Sequence, residues 1–204
     1  KESVDVSCHH SVDTWNEVGF GRSVEDPAVP GMLEKYTRVF EDAVRLMADC
    51  FDLPLDEVRF EYELGAVVED VDLGWYQLPE GSLGGCYLRY LGMVAGEPRI
   101  EMHLEWQMTP KTEPRWDIRG CYITTIEGDP MIINRHMILP ASGTPHSLMD
   151  SDYFASLGMT ITGMPALNAM RSVCDARPGL LTSADLPLRA FAGRFHDGTA
   201  ARRA

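Results

Sequence analysis

Between Arg99 and Met108 the chain reads Arg-Ile-Glu-Met-His-Leu-Glu-Trp-Gln-Met. Arg99, Glu101, His103, Glu105 and Gln107 alternate with Ile100, Met102, Leu104, Trp106 and Met108. A period of two sends every polar side chain to one face of a strand and every apolar one to the other. Such a strand is half-buried: helices or a second layer must cover its apolar face, while its polar face meets water, a ligand or a partner subunit. A chain organised around this stretch is expected to fold as α+β.

The 204 residues, 45% of them hydrophobic, suffice for one compact unit. Residues 1–195 are expected to form it, with the basic, small-residue tail 196–204 disordered. Lys and Arg number 18 against 31 Asp and Glu, a net charge of −13 that repels phosphate backbones and anionic membrane surfaces and argues against a nucleic-acid or membrane partner. No apolar run is long enough to span a bilayer and the first residues do not form a signal peptide, so a cytoplasmic location is expected. Cys8, Cys50, Cys86, Cys121 and Cys174 are scattered and odd in number, which suits reduced core thiols better than a zinc or redox site. The chain opens at Lys1, within a strand-like pattern and without an initiator methionine, as a fragment of a longer protein does.

Ser3 to Cys8 alternates as a short strand and leads into His9-His10, after which Ser11 can cap a short helix around Trp15 that Gly19 or Gly21 ends. Phe20 to Pro30 is expected to be an irregular surface loop. From Pro30 to Asp52, apolar residues recur at three- and four-residue intervals, predicting one long helix. Val58 to Ala66 alternates as a second half-buried strand, and its continuation Glu69-Asp70-Val71-Asp72 lacks the turn glycine and full ligand loop of an EF-hand. Leu83 to Val94 and the stretch from Arg99 form a hairpin about Ala95-Gly96-Glu97-Pro98. Thr109 to Pro114 reads as a linker, and Ile118 to Glu127 and Met131 to Leu139 as another hairpin about Gly128-Asp129-Pro130. The expected fold is therefore a mixed, mostly antiparallel sheet of about six strands with helices packed on one face. A further helix from Asp152 is expected to kink or split at Pro165 and to end at Pro178-Gly179.

Neither a glycine-rich strand-to-helix fingerprint nor a P-loop is present, and Gly81-Ser82-Leu83-Gly84 is no nucleophile elbow. His9-His10 lacks further ligands at zinc spacing. Two imidazoles at a strand exit can hydrogen-bond a substrate and exchange a proton near neutral pH, or form a loop pair packed against Trp15. His103, with Glu101 and Glu105 on the same strand face, forms either a second polar cluster in a site or a solvated or subunit-facing surface.

Several stretches carry a resemblance: Val18-Gly19-Phe20-Gly21-Arg22, Asp72-Leu73-Gly74-Trp75, Gly96-Glu97-Pro98-Arg99-Ile100, Ile126-Glu127-Gly128-Asp129-Pro130, and above all the run from Pro165 to Pro187. Through them the chain resembles the C-terminal, non-Rossmann domain of dihydrodipicolinate-reductase-like NAD(P)-dependent oxidoreductases, nearest the branch of 2,4-diaminopentanoate dehydrogenase and related amine dehydrogenases. The resemblance implies a dihydrodipicolinate-reductase C-terminal-domain-like fold, with a preceding Rossmann domain, absent from this chain, that binds NAD or NADP. It implies a domain, inactive by itself, that binds a small amine or imine substrate and assembles homo-oligomers through its open sheet. His9 and His10 stand at the strand exit where the family places a histidine pair, so they are the expected catalytic contacts, with Thr14, Trp15 and Phe20 as substrate-binding neighbours. The catalytic base can equally lie in the absent domain. Asp13 stands near the position of the strict reductases' lysine and their Ser-Gly-Thr run is missing, which disfavours an anionic dicarboxylate and suits a cationic amine. Dihydrodipicolinate reductase proper is thus the lesser alternative, and a non-catalytic ligand-binding or subunit-assembly domain the other.

Overall fold

The computed structural model of the chain describes residues 2–5, 12–118, 120–140, 143–145, 151–182 and 185–187. The elements run β1 (Glu2–Asp5), α1 (Val12–Val18), α2 (Val29–Thr37), α3 (Val39–Cys50), β2 (Glu57–Val67), β3 (Val71–Asp72), β4 (Gln77–Leu78), β5 (Leu83–Val94), β6 (Glu97–Gln107), β7 (Thr112–Glu113), β8 (Cys121–Ile126), β9 (Ile132–His136) and α4 (Ser151–Asp175). Seven strands form one sheet in the order β7-β2-β5-β6-β1-β8-β9, and β3 and β4 make a separate ribbon. Among the described residues only the β1–β6 pair is parallel. The fold is α+β with a mostly antiparallel sheet. The strand beyond the expected six is β7, which pairs with β2 inside the stretch read as a linker.

The β5–β6 turn places Ala95 (φ 52°) and Gly96 (φ 81°) in the left-handed region. This is the backbone that lets a two-residue turn match the twist of its strands. Below the sheet, α3 packs against β2, β5 and β6, and α1 packs against α2. Val18, Phe20, Leu33, Val44, Leu88, Tyr90, Leu104 and Trp106 fill the space between. Trp106 is met edge-on by Trp15 at 6.2 Å and by Phe40 at 6.4 Å between ring centroids.

The predicted helix from Pro30 to Asp52 is two helices, interrupted at Arg38. At the break the Thr37 hydroxyl donates to the Leu33 carbonyl at 2.7 Å and lies 2.7 Å from the Tyr90 hydroxyl. The single Thr37 proton is thereby used, so the Tyr90 phenol donates to Thr37. A buried tyrosine from the sheet is satisfied where the helix ends. Nor is Phe20 to Pro30 an irregular surface loop throughout. Phe20 is buried, and its successors pair with the start of β5 through Gly21 N–H to Leu83 O (3.0 Å) and Leu83 N–H to Arg22 O (2.7 Å). Backbone groups entering the core need such partners.

The expectation that every cysteine is a core thiol fails at Cys50 and Cys174, which are exposed, whereas Cys86 and Cys121 are buried. Cys8 lies outside the described residues. Burial pushes the Cys86 thiol up to about 12. Since the thiolate is the reactive form, only roughly one Cys86 in 10⁴ is ionised at a pH of about 8. A native-state thiol titration near that pH is expected to label Cys50 and Cys174 and to spare Cys86 and Cys121; mass mapping that found Cys86 modified before unfolding would contradict the packing.

α4 continues through Pro165 and is not split, since a lost amide removes one hydrogen bond while the turns on both sides carry the helix on. Along it Met164, Leu167, Met170 and Val173 are exposed, as are Ile132 and Ile133 on β9. Helices α1 to α3 lie on one face of the sheet. Among the described residues no helix is long and apolar enough to cross a membrane. The tail expected to be disordered, 196–204, lies outside the described residues.

Candidate functional site

The face of the sheet away from the helices is built by register. Reading across β2, β5 and β6, one row is Glu61, Arg89 and His103, the next Glu63, Tyr87 and Glu105, and the next Gly65, Gly85 and Gln107. Directly opposed residues in such rows share a face and lie within side-chain contact. Arg89 pairs with Glu61, and its guanidinium carbon sits 5.9 Å from the Tyr87 ring centroid. The Tyr87 hydroxyl is 2.6 Å from His103 Nδ1, and His103 Nε2 is 2.8 Å from Glu101 Oε2. An ionised carboxylate only accepts, so Nε2 carries the proton and donates to Glu101. In the neutral ring Nδ1 then accepts from Tyr87 O–H. Tyr87, His103 and Glu101 thus form one directional hydrogen-bond chain, the arrangement that holds an imidazole in a single tautomer.

The other end of the face is covered. The expectation that all five polar residues of β6 look outward fails at Glu105 and Gln107, which are buried. For Gln107 the cause is non-local: Trp116 lies against its glycine row, where a Cβ at Gly65 would fall 2.6 Å from the Trp116 Cζ3 and one at Gly85 3.0 Å. Gln107, next in that row, borders a recess of about 460 Å³ together with Thr109, Arg115, Trp116 and Asp117.

β1 runs parallel to β6 with Asp5 opposite Gln107, so both strands point toward this covered end. His9 and His10, the predicted catalytic pair, follow β1 in the sequence and lie outside the described residues. Thr14 is half-buried on α1. Trp15, 7% exposed, and Phe20, 1% exposed, stack edge to face at 5.4 Å inside the core. The structure therefore brings Trp15 and Phe20 together beneath the sheet. Sequence reasoning singled out His103 and Glu101 but missed Tyr87 as their neighbour, and it missed Arg115 and Trp116 at the covered end. The available signal was glycine inside a strand, at Gly65 and Gly85, which marks a close approach by another group.

Among the described residues no cluster of three or more His, Cys, Asp or Glu is arranged to hold a metal ion. Nor do they fit a dinucleotide. The one parallel pair, β1 and β6, is not joined by a glycine-rich turn into a helix, and the glutamates of the open face repel a pyrophosphate.

No protein-family model matches the chain. It is 27% identical over 205 residues to an amine dehydrogenase of Streptomyces virginiae, covering 96% of this chain and 54% of that protein. It is 27% identical over 183 residues to a 2,4-diaminopentanoate dehydrogenase of Acetoanaerobium sticklandii, covering 87% of this chain and 44% of that protein. Distantly similar to two dehydrogenases along most of its own sequence, the chain spans about half the length of these curated relatives.

Proposed function

We propose that the chain is the substrate-binding and oligomerisation domain of an NAD(P)-dependent oxidoreductase acting on the amine or imine carbon of a small molecule. The observation that carries this is the similarity to an amine dehydrogenase across 96% of the chain. Charge agrees with it: a net charge of −13 favours a cationic substrate. The nicotinamide cofactor falls to a Rossmann domain outside these residues, so this chain alone is inactive, and its part is to bind and orient the amine. A protonated amine has no lone pair to assist loss of its C–H bond, so a base must first hold the ammonium proton. An imidazole does this near neutral pH, and His9 and His10 are placed in that role. Thr14, Trp15 and Phe20 are assigned to substrate binding, the two aromatics by fixing α1 from the core.

Subunits meet through the open sheet face as a homo-oligomer. The Glu61–Arg89 pair and the Tyr87–His103–Glu101 chain hold that surface in one arrangement before contact, which lowers the ordering cost of association. Arg89→Glu sets a third acidic side chain beside Glu61 and Glu63, and like charges across an interface cost several kcal/mol. The variant is expected to sediment as a smaller species than the parent at equal concentration. An unchanged sedimentation coefficient would remove this face from the interface.

The function is tested with the full-length gene product, a panel of primary amines and each cofactor in turn, following the absorbance of reduced nicotinamide. Amine-dependent reduction is the expected result. No reduction with any amine and either cofactor, in protein of intact fold, overturns the dehydrogenase and leaves a non-catalytic ligand-binding or subunit-assembly domain. Turnover confined to dihydrodipicolinate would instead assign dihydrodipicolinate reductase proper.

A further inference from the structure

His103 sits where a change in its charge must change its neighbours. Its side chain is 22% exposed and bonded at both nitrogens, accepting from Tyr87 at Nδ1 and donating to Glu101 from Nε2. This pair of bonds fits only the neutral ring, because a protonated imidazole carries a hydrogen on each nitrogen and accepts at neither. A proton taken up at Nδ1 therefore reverses the Tyr87 contact: Nδ1–H donates to the phenol oxygen, and the Tyr87 proton turns to another acceptor. Register supplies two, since Glu63 on β2 and Glu105 on β6 stand directly opposite Tyr87.

Charge around the ring is uneven. Glu101 and Glu105 flank His103 on β6, and Glu61 and Glu63 stand beyond β5 on β2. From β5 come Tyr87 and Arg89, and Glu61 already engages the Arg89 guanidinium. Arg59, opposite Leu91 in the row of Glu101, is 2.8 Å from Glu57. On β1, Ser3 lies opposite Glu105 and Asp5 opposite Gln107, while Lys1 lies outside the described residues. Carboxylates thus outnumber cations around His103. Of these side-chain types, imidazole is the one that ordinarily changes charge between about pH 5 and 8.

The geometry points to a pH-sensitive contact between two copies of this chain, in which protonation of His103 tightens the meeting of their open sheet faces and its deprotonation loosens it. This rests on the homo-oligomer proposed above and adds what regulates it. Two faces that each carry an excess of carboxylates repel when brought together, and one positive charge gained on each reduces that repulsion. The assembled face therefore holds the imidazole proton more tightly than the free subunit does. By linkage, association strengthens as pH falls through the imidazole range and weakens as pH rises through it.

Sedimentation velocity of the full-length gene product, over a concentration series at low ionic strength, reads the effect directly. The parent is expected to associate about tenfold more tightly at about pH 6 than at about pH 8. His103→Gln, neutral throughout, is expected to keep the weak value of high pH, and His103→Lys, charged throughout, the tight value at both. The other histidines remain in both variants, so the difference from the parent belongs to position 103. A general loss of fold cannot produce two results of opposite direction. The proposal is overturned if the parent's association does not change with pH, or if His103→Gln keeps the parent's pH dependence. The two readings fail separately. Dissociation by Arg89→Glu with the pH dependence intact in His103→Gln keeps the interface and removes its regulation, whereas a parent-like sedimentation coefficient in Arg89→Glu removes both.

Discussion

Trp106→Ala is expected to destabilise the protein by about 3–5 kcal/mol, the range for removing a large buried aromatic side chain. The ring is 8% exposed at the far end of β6, edge to face with both Trp15 and Phe40. It therefore joins three elements, because Trp15 lies on α1 and Phe40 on α3. Truncation leaves a cavity bounded by aromatic rings, which cannot turn inward to close it without leaving their rotamers. A loss of that size is a large part of the roughly 5–15 kcal/mol that holds a domain folded. Urea unfolding of Trp106→Ala and Trp106→Phe beside the parent measures it. Trp106→Phe keeps an aromatic at the centre and should recover more than half of the loss. Equal midpoints for Trp106→Ala and the parent would show that the α1–β6–α3 contact contributes nothing to stability.

The second large effect concerns turnover. Replacing His9 and His10 together by alanine in the full-length gene product is expected to lower kcat by roughly 10²-fold or more, the contribution of a positioned acid or base. The far-ultraviolet dichroism and urea midpoint should stay at the parent's values. The two single variants tell which imidazole holds the proton, since the one that only binds substrate raises KM and leaves kcat near its original value. The pH profile of kcat/KM gives an independent readout: a limb that titrates near the imidazole range in the parent should vanish in the variant lacking the base. Parent-like kinetics in the double variant would take the pair out of the site and move the base to another part of the longer protein.

Much of this architecture was legible residue by residue. The alternation in β2 and β6 showed which side chains share a face, and the helical spacing after Pro30 showed where helices lie, since both periods are set by the local backbone. The hairpin at Ala95-Gly96 was legible for the same reason, its turn chemistry lying in adjacent residues. The break at Arg38 was not. At the break Thr37 meets Tyr90, a residue 53 positions away, and no window around Thr37 contains that partner.

The candidate site divides in the same way. His103 between Glu101 and Glu105 was visible as a polar cluster on one strand. Tyr87 joined it only through the register of β5 against β6, and that register made two half-satisfied imidazole nitrogens into a directed chain. Gln107 was read as outward-facing because its neighbours alternate, and within its own strand that holds. Its burial comes from Trp116, which occupies a shelf that exists only because Gly65 and Gly85 are paired side by side.

By itself the sequence determined a polar and an apolar face for the central strands, an acidic surface and an α+β class, because charge and periodicity belong to short stretches of chain. Tertiary structure alone decided that β1 runs parallel beside β6 and that one end of the polar face is closed over. Those outcomes depend on which distant segments meet, and contacts between distant segments are set by the packing of the whole core.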